Sequence, residues 1–262
     1  MEKFDYYEKI ENLKKYQELS WNIPEQKNGK ISLIGGNSQS FSNIIKSAES
    51  LQQSFPIKDL SIILPDSLKN KLPPLPNFVF ASSTESGSFA KSDILDNALK
   101  NSDFNILLGD FSKNSATCIA IAEALKSSDN PTIFARDTID LLLPEMVNII
   151  EKENLFIIGT MAQLQKLFRA VYYPKMLLLS MPLMQVVENL HKFTLSYPCT
   201  ILTFLENQVI IANNGKVAGI PIGSTSYTPL SLWDGELAGK IAAMNLFNPG
   251  KPLEATISGL IS

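Results

Sequence analysis

The sequence is poor in the residues that most often carry metal and redox chemistry. Among 262 residues it has 2 cysteines and 1 histidine, and both cysteines, Cys118 and Cys199, lie in apolar stretches. Such cysteines usually act as small buried hydrophobic side chains, which indicates a reducing compartment rather than disulfides. The histidine, His191, lies in a helical pattern beside Leu190 and Phe193, which favours a structural role. We therefore expect no metal site and no histidine-based triad.

Long apolar runs and an excess of charge are also missing. The longest apolar runs, such as 155–158 and 176–179, are far shorter than the ~18 residues of a membrane helix. Residues 1–19 mix charged and apolar side chains, unlike the continuous apolar core of an export signal. The net charge is −3 and the basic residues are scattered, so no stripe could neutralise a phosphate backbone. We expect a cytoplasmic protein with no membrane or nucleic-acid partner.

The composition is that of a globular protein whose chain falls into an arm and one domain. Hydrophobic residues make up 45% and charged residues 19% of the sequence, which argues against disorder. We divide it into an N-terminal helical arm, 1–26, and one α/β domain, 27–262. The helix is predicted over 4–19 because apolar residues recur at three-residue steps. This stripe, which could also support a homo-oligomer, consists of Tyr7, Ile10, Leu13 and Tyr16.

From residue 31 onward the chain repeats one unit, in which a short apolar strand is followed by a turn and an amphipathic helix. Apolar strands without alternation are typical of parallel sheets covered by helices on both faces. We therefore predict a three-layer α/β/α domain with a mostly parallel sheet. The predicted strands are 31–34, 60–64, 78–81, 105–108, 132–135 and 155–158, and the main helices between and after them are 40–53, 94–100, 116–126, 138–151 and 162–171.

The pattern changes after residue 181. A helix over 183–195 leads to two strands, 200–204 and 208–212, whose connection is too short for a parallel crossover. We therefore predict an antiparallel hairpin near the C-terminus. A further strand at 217–220 and helices at 237–246 and 253–260 complete the domain.

The turns after the strands are the places to look for a ligand site, because open parallel sheets bind ligands at the carboxyl ends of their strands. The first turn contains Gly35, Gly36 and Asn37, whose glycines would let a ligand approach the backbone. The second begins at Gly109 and leads to a helix that Ser115 could cap. Both turns could equally be tight connections that bind nothing.

Two later turns carry carboxylates. Arg136 and Asp137 form a charged pair directly after a predicted strand. In the turn 231–235, Asp234 and Gly235 open a helix whose N-terminus could hold an anion, with Asp234 as a base. In both turns the aspartate could instead be a simple helix cap.

Taken together and in this order, the turns resemble those of the ADP- or ATP-dependent NAD(P)H-hydrate dehydratases, a family with a ribokinase-like fold. The resemblance covers residues 27–262. Residues 26–30, Gln-Lys-Asn-Gly-Lys, stand where the family has a lead that contains Lys and Gly. The first strand then ends in Gly-Gly-Asn where the family has Gly-Gly-Ser. Gly109 matches the first glycine of the family's Gly-Pro-Gly-Leu-Gly turn, and Asp137 the second aspartate of its Asp-Ala-Asp-Ala-Leu-Asn. Residues 252–255 match its Pro-Phe-Glu-Ala helix start.

The catalytic motifs of the family are less well kept than its scaffold. Thr160 stands at the family's histidine, Gln163 at its glutamate and Thr203 at its strand-end lysine. Against the signature Gly-Thr-Gly-Asp-Val-Leu-Ala-Gly, Gly235 takes the place of the catalytic aspartate and Asp234 lies one residue early. A one-residue shift on a helix turns a side chain by about 100°.

The resemblance implies a nucleotide-driven dehydration of hydrated NADH or NADPH, with ADP or ATP and Mg²⁺ as cofactors and Asp234 as catalytic base. The nucleotide and substrate would then contact the remaining candidate site residues. These are Gly35, Gly36, Asn37, Gly109, Asp137 and Gly235. Two alternatives stay open, a catalytically inactive pseudoenzyme that binds a nucleotide or a protein partner, and a ribokinase-type small-molecule kinase.

Overall fold

The computed structural model describes residues 5–261, which form a three-layer α/β/α fold around one ten-stranded sheet. The strands are β1 Tyr7–Lys9, β2 Asn28–Gly35, β3 Ile57–Pro65, β4 Phe78–Ala81, β5 Phe104–Gly109, β6 Thr132–Ala135, β7 Leu155–Ile158, β8 Cys199–Leu205, β9 Gln208–Asn213 and β10 Lys216–Pro221. The helices are α1 Lys14–Gln17, α2 Ser42–Ser54, α3 Asp93–Asn101, α4 Ser115–Lys126, α5 Thr138–Leu142, α6 Met146–Ile149, α7 Met161–Ala170, α8 Leu183–Ser196, α9 Glu236–Phe247 and α10 Pro252–Gly259. The predicted fold class is confirmed.

The strand order is β1-β10-β9-β8-β7-β6-β5-β2-β3-β4. From β4 to β8 all neighbours run parallel, and the antiparallel pairs are β8 with β9 and β9 with β10. The predicted hairpin is thus present. Apolar strands are buried on both sides because α2, α9 and α10 cover one face and α3 to α8 cover the other.

The N-terminal arm differs from its prediction. Instead of one helix over 4–19, residues Tyr7–Lys9 form β1, a parallel edge strand in register with Val217 to Gly219 of β10. Tyrosine favours strands, and pairing with a distant edge overrides the local helical period. The stripe residues Ile10 and Tyr16 are buried in the chain's own core, and the start of the predicted helix, Phe4, lies outside the described residues. The division at residue 26 and the homo-oligomer stay predictions.

The helix predicted over 138–151 is interrupted. It consists of α5, a turn of 3₁₀-helix at Leu143–Glu145, and α6. Pro144 explains the interruption, because proline lacks the N–H of an interior helical residue and clashes with the preceding turn. No helix within residues 5–261 is both long and apolar enough to cross a membrane.

One buried hydroxyl gives a first testable prediction. Thr203 of β8 is fully buried, and within the part of the chain that the structure describes its Oγ1 has no hydrogen-bond partner. Because an unpaired buried hydroxyl keeps its desolvation cost, Thr203→Val should raise the free energy of unfolding by about 1 kcal/mol in urea denaturation. The matched control is Thr200 on the same strand, whose Oγ1 accepts a hydrogen bond from Asn213 Nδ2 at 2.9 Å. Thr200→Val should be destabilising, and a loss of stability in both variants would contradict the prediction.

Candidate functional site

The direction in which the chain adds strands to the sheet changes between β2 and β5. From β2 the chain adds β3 and β4 on one side, then returns to add β5 and its successors on the other. In open α/β sheets ligands bind at such a switch in direction, outside the carboxyl ends of the strands. The turns after β2 and β5 lie side by side at this edge, and they are the first two candidate turns predicted from the sequence.

The turn after β2 lies directly against the turn after β5. Gly36 N donates to Gly109 O at 2.9 Å, and a Cβ on Gly35 would lie 2.6 Å from the same oxygen, so the close approach requires glycine. Asn37 joins the two turns as well, since its Nδ2 donates to Asp110 O at 2.5 Å. The predicted grouping of Gly35, Gly36, Asn37 and Gly109 at one edge of the sheet is therefore observed, whereas their ligand remains a prediction.

Asp137 belongs to the same group of turns. Its Oδ1 accepts a hydrogen bond from Asp110 N at 2.7 Å. Gly109 has φ +85°, and a Cβ there would lie 2.1 Å from that oxygen, so this position requires glycine. Asp137 occupies the N-cap position of α5, but its side chain makes no capping hydrogen bond, so the cap alternative holds for its position only. Burial raises the pKa of Asp137, and the nearby charge of Asp110 acts in the same direction.

This raised pKa predicts how stability depends on pH. A carboxyl whose pKa is higher in the folded than in the unfolded state adds stability below its ordinary pKa, and loses that contribution as pH rises through the folded value. Asp137→Asn keeps the acceptor for Asp110 N but cannot ionise. The stability of the variant relative to wild type should therefore rise between about pH 4 and neutral in urea titrations at several pH values. A difference that is flat with pH would contradict the assignment.

Arg136 forms a buried ion pair at this edge with Asp110, rather than with Asp137 as the sequence predicts. Arg136 Nη1 and Nη2 each donate to a carboxylate oxygen of Asp110 at 2.8 Å, and Asn43 Nδ2 donates to Asp110 at 3.1 Å. Burial alone would raise the pKa of Asp110, but the hydrogen bonds and charge of Arg136 outweigh it, so the pKa is lowered. The sequence signal was available, because both residues directly follow neighbouring parallel strands, yet it did not tell which carboxylate Arg136 would bind.

Asp234 and Gly235 lie beside this group at the start of α9. Gly235 is the N-cap with φ +84°, and a Cβ there would lie 2.5 Å from Ser47 Oγ and 2.9 Å from Leu108 Cδ1. Asp234 is exposed, and its Oδ1 accepts a hydrogen bond from Glu236 N at 3.1 Å. Burial of part of the carboxyl raises the pKa of Asp234, and the charge of Glu236 adds to this while that of Arg136 opposes it.

The start of α9 therefore differs from the anion site that the sequence predicts. There the first N–H groups of the helix were expected to face a ligand, but Asp234 itself accepts from Glu236 N. The neighbouring Trp233 is 43% exposed, so its ring is open to solvent at the same turn. Part of the cap alternative for Asp234 is thus observed, whereas its catalytic role remains a prediction.

Two other positions of the family motifs have structural roles. Thr160 caps α7, with its Oγ1 accepting from Gln163 N at 3.2 Å and Gln163 Oε1 accepting from Thr160 N at 3.0 Å. At α4 the observed cap is Asn114, whose Oδ1 accepts from Thr117 N at 2.7 Å, rather than the predicted Ser115. Asparagine one residue earlier is as good a cap as serine.

The two cysteines and the histidine, which the sequence predicts to have structural roles, make structural contacts. Cys118 and Cys199 are buried, and burial raises the pKa of Cys199 to about 12. The ring of His191 stacks on Tyr6 with a centroid distance of 3.9 Å, and its Nδ1 contacts Gly215 O. Within residues 5–261 no group of three or more His, Cys, Asp or Glu side chains is arranged to hold a metal ion.

A cavity lies away from these turns. It has a volume of about 350 Å³ and lies between α3 and the strands β2 to β4, lined by Lys30, Asp59, Ser61 and Asn97 among others. These strand residues belong to the amino-terminal halves of β2 and β3, opposite to the edge at which the glycine turns meet. We therefore assign the candidate site to the switch between β2 and β5, where the unusual backbone and the buried charges are found.

Comparison with solved structures identifies the fold. A ribokinase-like superfamily protein of Enterococcus faecalis superposes with a TM-score of 0.64 at 15% identity, covering 98% of this chain and 86% of its own. YxkO of Bacillus subtilis, of the UPF0031 family, gives 0.59 at 14% identity, with 93% and 84% covered. An ADP complex of Bacillus subtilis pyridoxal kinase gives 0.50 at 10% identity, with 88% and 89% covered. No family model and no curated protein matches the sequence. The chain thus has a ribokinase-like fold.

Proposed function

We propose that this ribokinase-like chain binds a phosphate-bearing small molecule of the nucleotide class at the switch between β2 and β5, and that it does not turn this ligand over. The observation that carries the proposal is that the chain itself already engages the three aspartates of these turns. Asp110 is held by Arg136, Asp137 by a backbone N–H, and Asp234 by the N–H of Glu236.

The binding half of the proposal is supported by the backbone at the switch. Gly35, Gly36 and Gly109 bring two turns within hydrogen-bond distance of each other at the carboxyl edge of the sheet. Arg136 adds a cation, which is what a phosphate group requires beside backbone N–H groups. Among the proteins of similar fold, the pyridoxal kinase of Bacillus subtilis forms a complex with ADP.

The inactive half of the proposal is supported by the positions at which the dehydratase resemblance fails. A general base must be within hydrogen-bond reach of the proton that it removes. Thr203, at the family's lysine, is fully buried, and Thr160 and Gln163 cap α7 instead of facing a substrate. These three side chains have structural roles. Among these positions of the family motifs, Asp234 at the N-terminus of α9 is therefore the remaining candidate base.

A second candidate function is the dehydratase activity itself, and one observation favours it. Asp234 is exposed beside the N-terminus of a 12-residue helix, and its pKa is raised, as a base working near neutral pH requires. In that case Asp234 would remove a proton from the hydrated substrate.

The residues present fit the phosphate of a nucleotide better than they fit a dedicated metal centre. Arg136 has a buried Nε without a hydrogen-bond partner among the described residues, which is a donor left over for an anion. Mg²⁺ usually takes its ligands from phosphates and water with one or two carboxylates, and Asp234 is the exposed carboxylate at this edge. The cofactor would supply phosphate charge, while the chain would bind and orient it.

The test combines binding with turnover. Titration calorimetry with ADP, ATP, NADH and NADPH, each with and without Mg²⁺, should show binding of at least one nucleotide, with adenosine as the control that lacks phosphate. Incubation with hydrated NADH, ADP or ATP and Mg²⁺ should not restore NADH absorbance. Recovery of absorbance that Asp234→Asn abolishes would establish the second candidate instead, and failure of every nucleotide to bind would overturn the proposal.

A further inference from the structure

Arg136 is held in an unusual way for a side chain with only a structural role. It is 8% exposed, its Nη1 and Nη2 each lie 2.8 Å from an oxygen of Asp110, and its Nε has no partner among residues 5–261. A buried guanidinium normally has all of its N–H groups paired, because each unpaired one retains a desolvation cost. One donor of this side chain is therefore unused.

The backbone at both ends of the pair is strained. Asp110 has φ +57° and Arg136 has φ +56°, in the left-handed region that side chains other than glycine rarely adopt. Each residue directly follows its strand, β5 or β6, at the carboxyl edge of the sheet. Strained residues persist where the surrounding structure holds them, and they cluster at ligand sites.

Stability alone does not explain why Arg136 and Asp110 are present, because apolar side chains at both positions could give similar stability. Buried ion pairs lose their hydration, and apolar replacements of similar volume are often as stable or more stable. The strain, the burial and the unused donor together thus call for a role in binding rather than in folding.

The surroundings of Arg136 connect it to the other candidate residues. Its Nη1 also lies 3.5 Å from Leu108 O, and the Leu108 side chain would contact a Cβ on Gly235 at the start of α9. Through Asp110 it reaches the turns of Asn37 and Asp137. The guanidinium is therefore linked through Asp110 to the turns that follow β2 and β6.

We propose that Arg136 is the residue that contacts the phosphate of the ligand, and that Asp110 is an internal carboxylate that the phosphate displaces from it. The guanidinium fork matches a carboxylate and a phosphate in the same bidentate way, so the two anions compete for one partner. This inference rests on the proposed function and names its ligand as a dianionic phosphate. Because Arg136 is available only when Asp110 is displaced, the pair lowers the apparent affinity by the fraction of molecules in which it is open.

The wild-type protein offers a direct test. Arg136 and Arg169 are the arginines of the sequence, and Arg169 is exposed on α7. In isotope-labelled protein the Nε–H signal of Arg136 should therefore shift on addition of inorganic phosphate or ADP, while that of Arg169 stays in place. Acetate at the same concentration should shift neither signal, and an equal shift with acetate would overturn the choice of phosphate.

Variants give the second arm of the test. Asp110→Asn keeps one acceptor for Arg136 but removes the competing charge, so ADP should bind about tenfold more tightly. Arg136→Lys keeps the charge but loses the fork, so ADP should bind about tenfold more weakly. Arg169→Lys is the matched control and should bind like wild type.

The outcomes separate this inference from the proposed function. If wild type binds ADP while the Arg136 signal does not move and both variants bind like wild type, the inference is wrong and the proposed function stands. If neither wild type nor Asp110→Asn binds any phosphate compound, both are wrong. Thermal melts identify a variant that fails to fold, and the wild-type spectra then decide.

Discussion

Asp110→Ala is expected to lower the free energy of unfolding by about 3–5 kcal/mol, since it leaves the guanidinium of Arg136 buried without its carboxylate. Urea denaturation measures this loss, and the melting temperature should fall by about 10 °C. The pKa of Asp110 is lowered in the folded state, so the contribution of the pair is present above its ordinary value and is lost only as pH falls below it. The loss in the variant should therefore be the same at pH 6 and pH 8.

Two controls separate the effect of burial from that of charge. The exposed pair of Lys192 and Glu188 on α8 is open to water, so Glu188→Ala should cause no measurable change. Replacing both members of the buried pair, as Asp110→Ala with Arg136→Met, should recover much of the lost stability because no unpaired charge remains. If Asp110→Ala alone is as stable as wild type, the prediction is wrong, and Arg136 has found another partner or water.

Gln163→Glu is the second change with a large expected effect. Gln163 is 3% exposed, and its Nε2 donates to Arg136 O at 2.7 Å and to Asp140 Oδ2 at 2.9 Å. A carboxylate there would face two acceptors with no hydrogen to give, so the free energy of unfolding should fall by about 3 kcal/mol at neutral pH.

The pH dependence of this variant identifies the cause. The new carboxyl would have a raised pKa in the folded state, so part of the stability should return as pH is lowered through that value. Gln165→Glu, two residues away and only partly buried on the same helix, is the control and should be close to neutral. A Gln163→Glu variant with wild-type stability would contradict the donor role of the amide. The two hydrogen bonds that this amide donates would then no longer explain why residue 163 is glutamine and not the glutamate of the family that the sequence resembles.

The sheet could be predicted from the sequence because its signal is local. The apolar runs at 105–108 and 132–135 identify buried strands by themselves, and the short connection at 205–207 forces an antiparallel hairpin. The strand β1 could not be predicted in the same way. Its three residues take their structure from β10, a partner about 200 residues further along the chain.

The candidate site was predictable in its position but not in its pairing. Chain order places Gly35 and Gly109 at the carboxyl ends of strands, and in parallel sheets such ends meet. Which carboxylate Arg136 binds depends on backbone angles instead. Asp137 is next to it in sequence, but the left-handed conformations at Asp110 and Arg136 place the fork against Asp110. No pattern of residue types indicates a positive φ at an arginine.

The position of β1 also sets an order of events in synthesis. Residues 7–9 leave the ribosome well before their partner strand, Lys216–Pro221, which is made about 200 residues later. Until β10 has been made, the nascent chain carries an unpaired segment with strand-forming tyrosines. Afterwards the outer edge of β10 has unpaired backbone groups until β1 docks. β1 can therefore join the sheet only after β10 has been made, and the interval before it docks is the time at which two nascent chains can most easily pair with each other in its place.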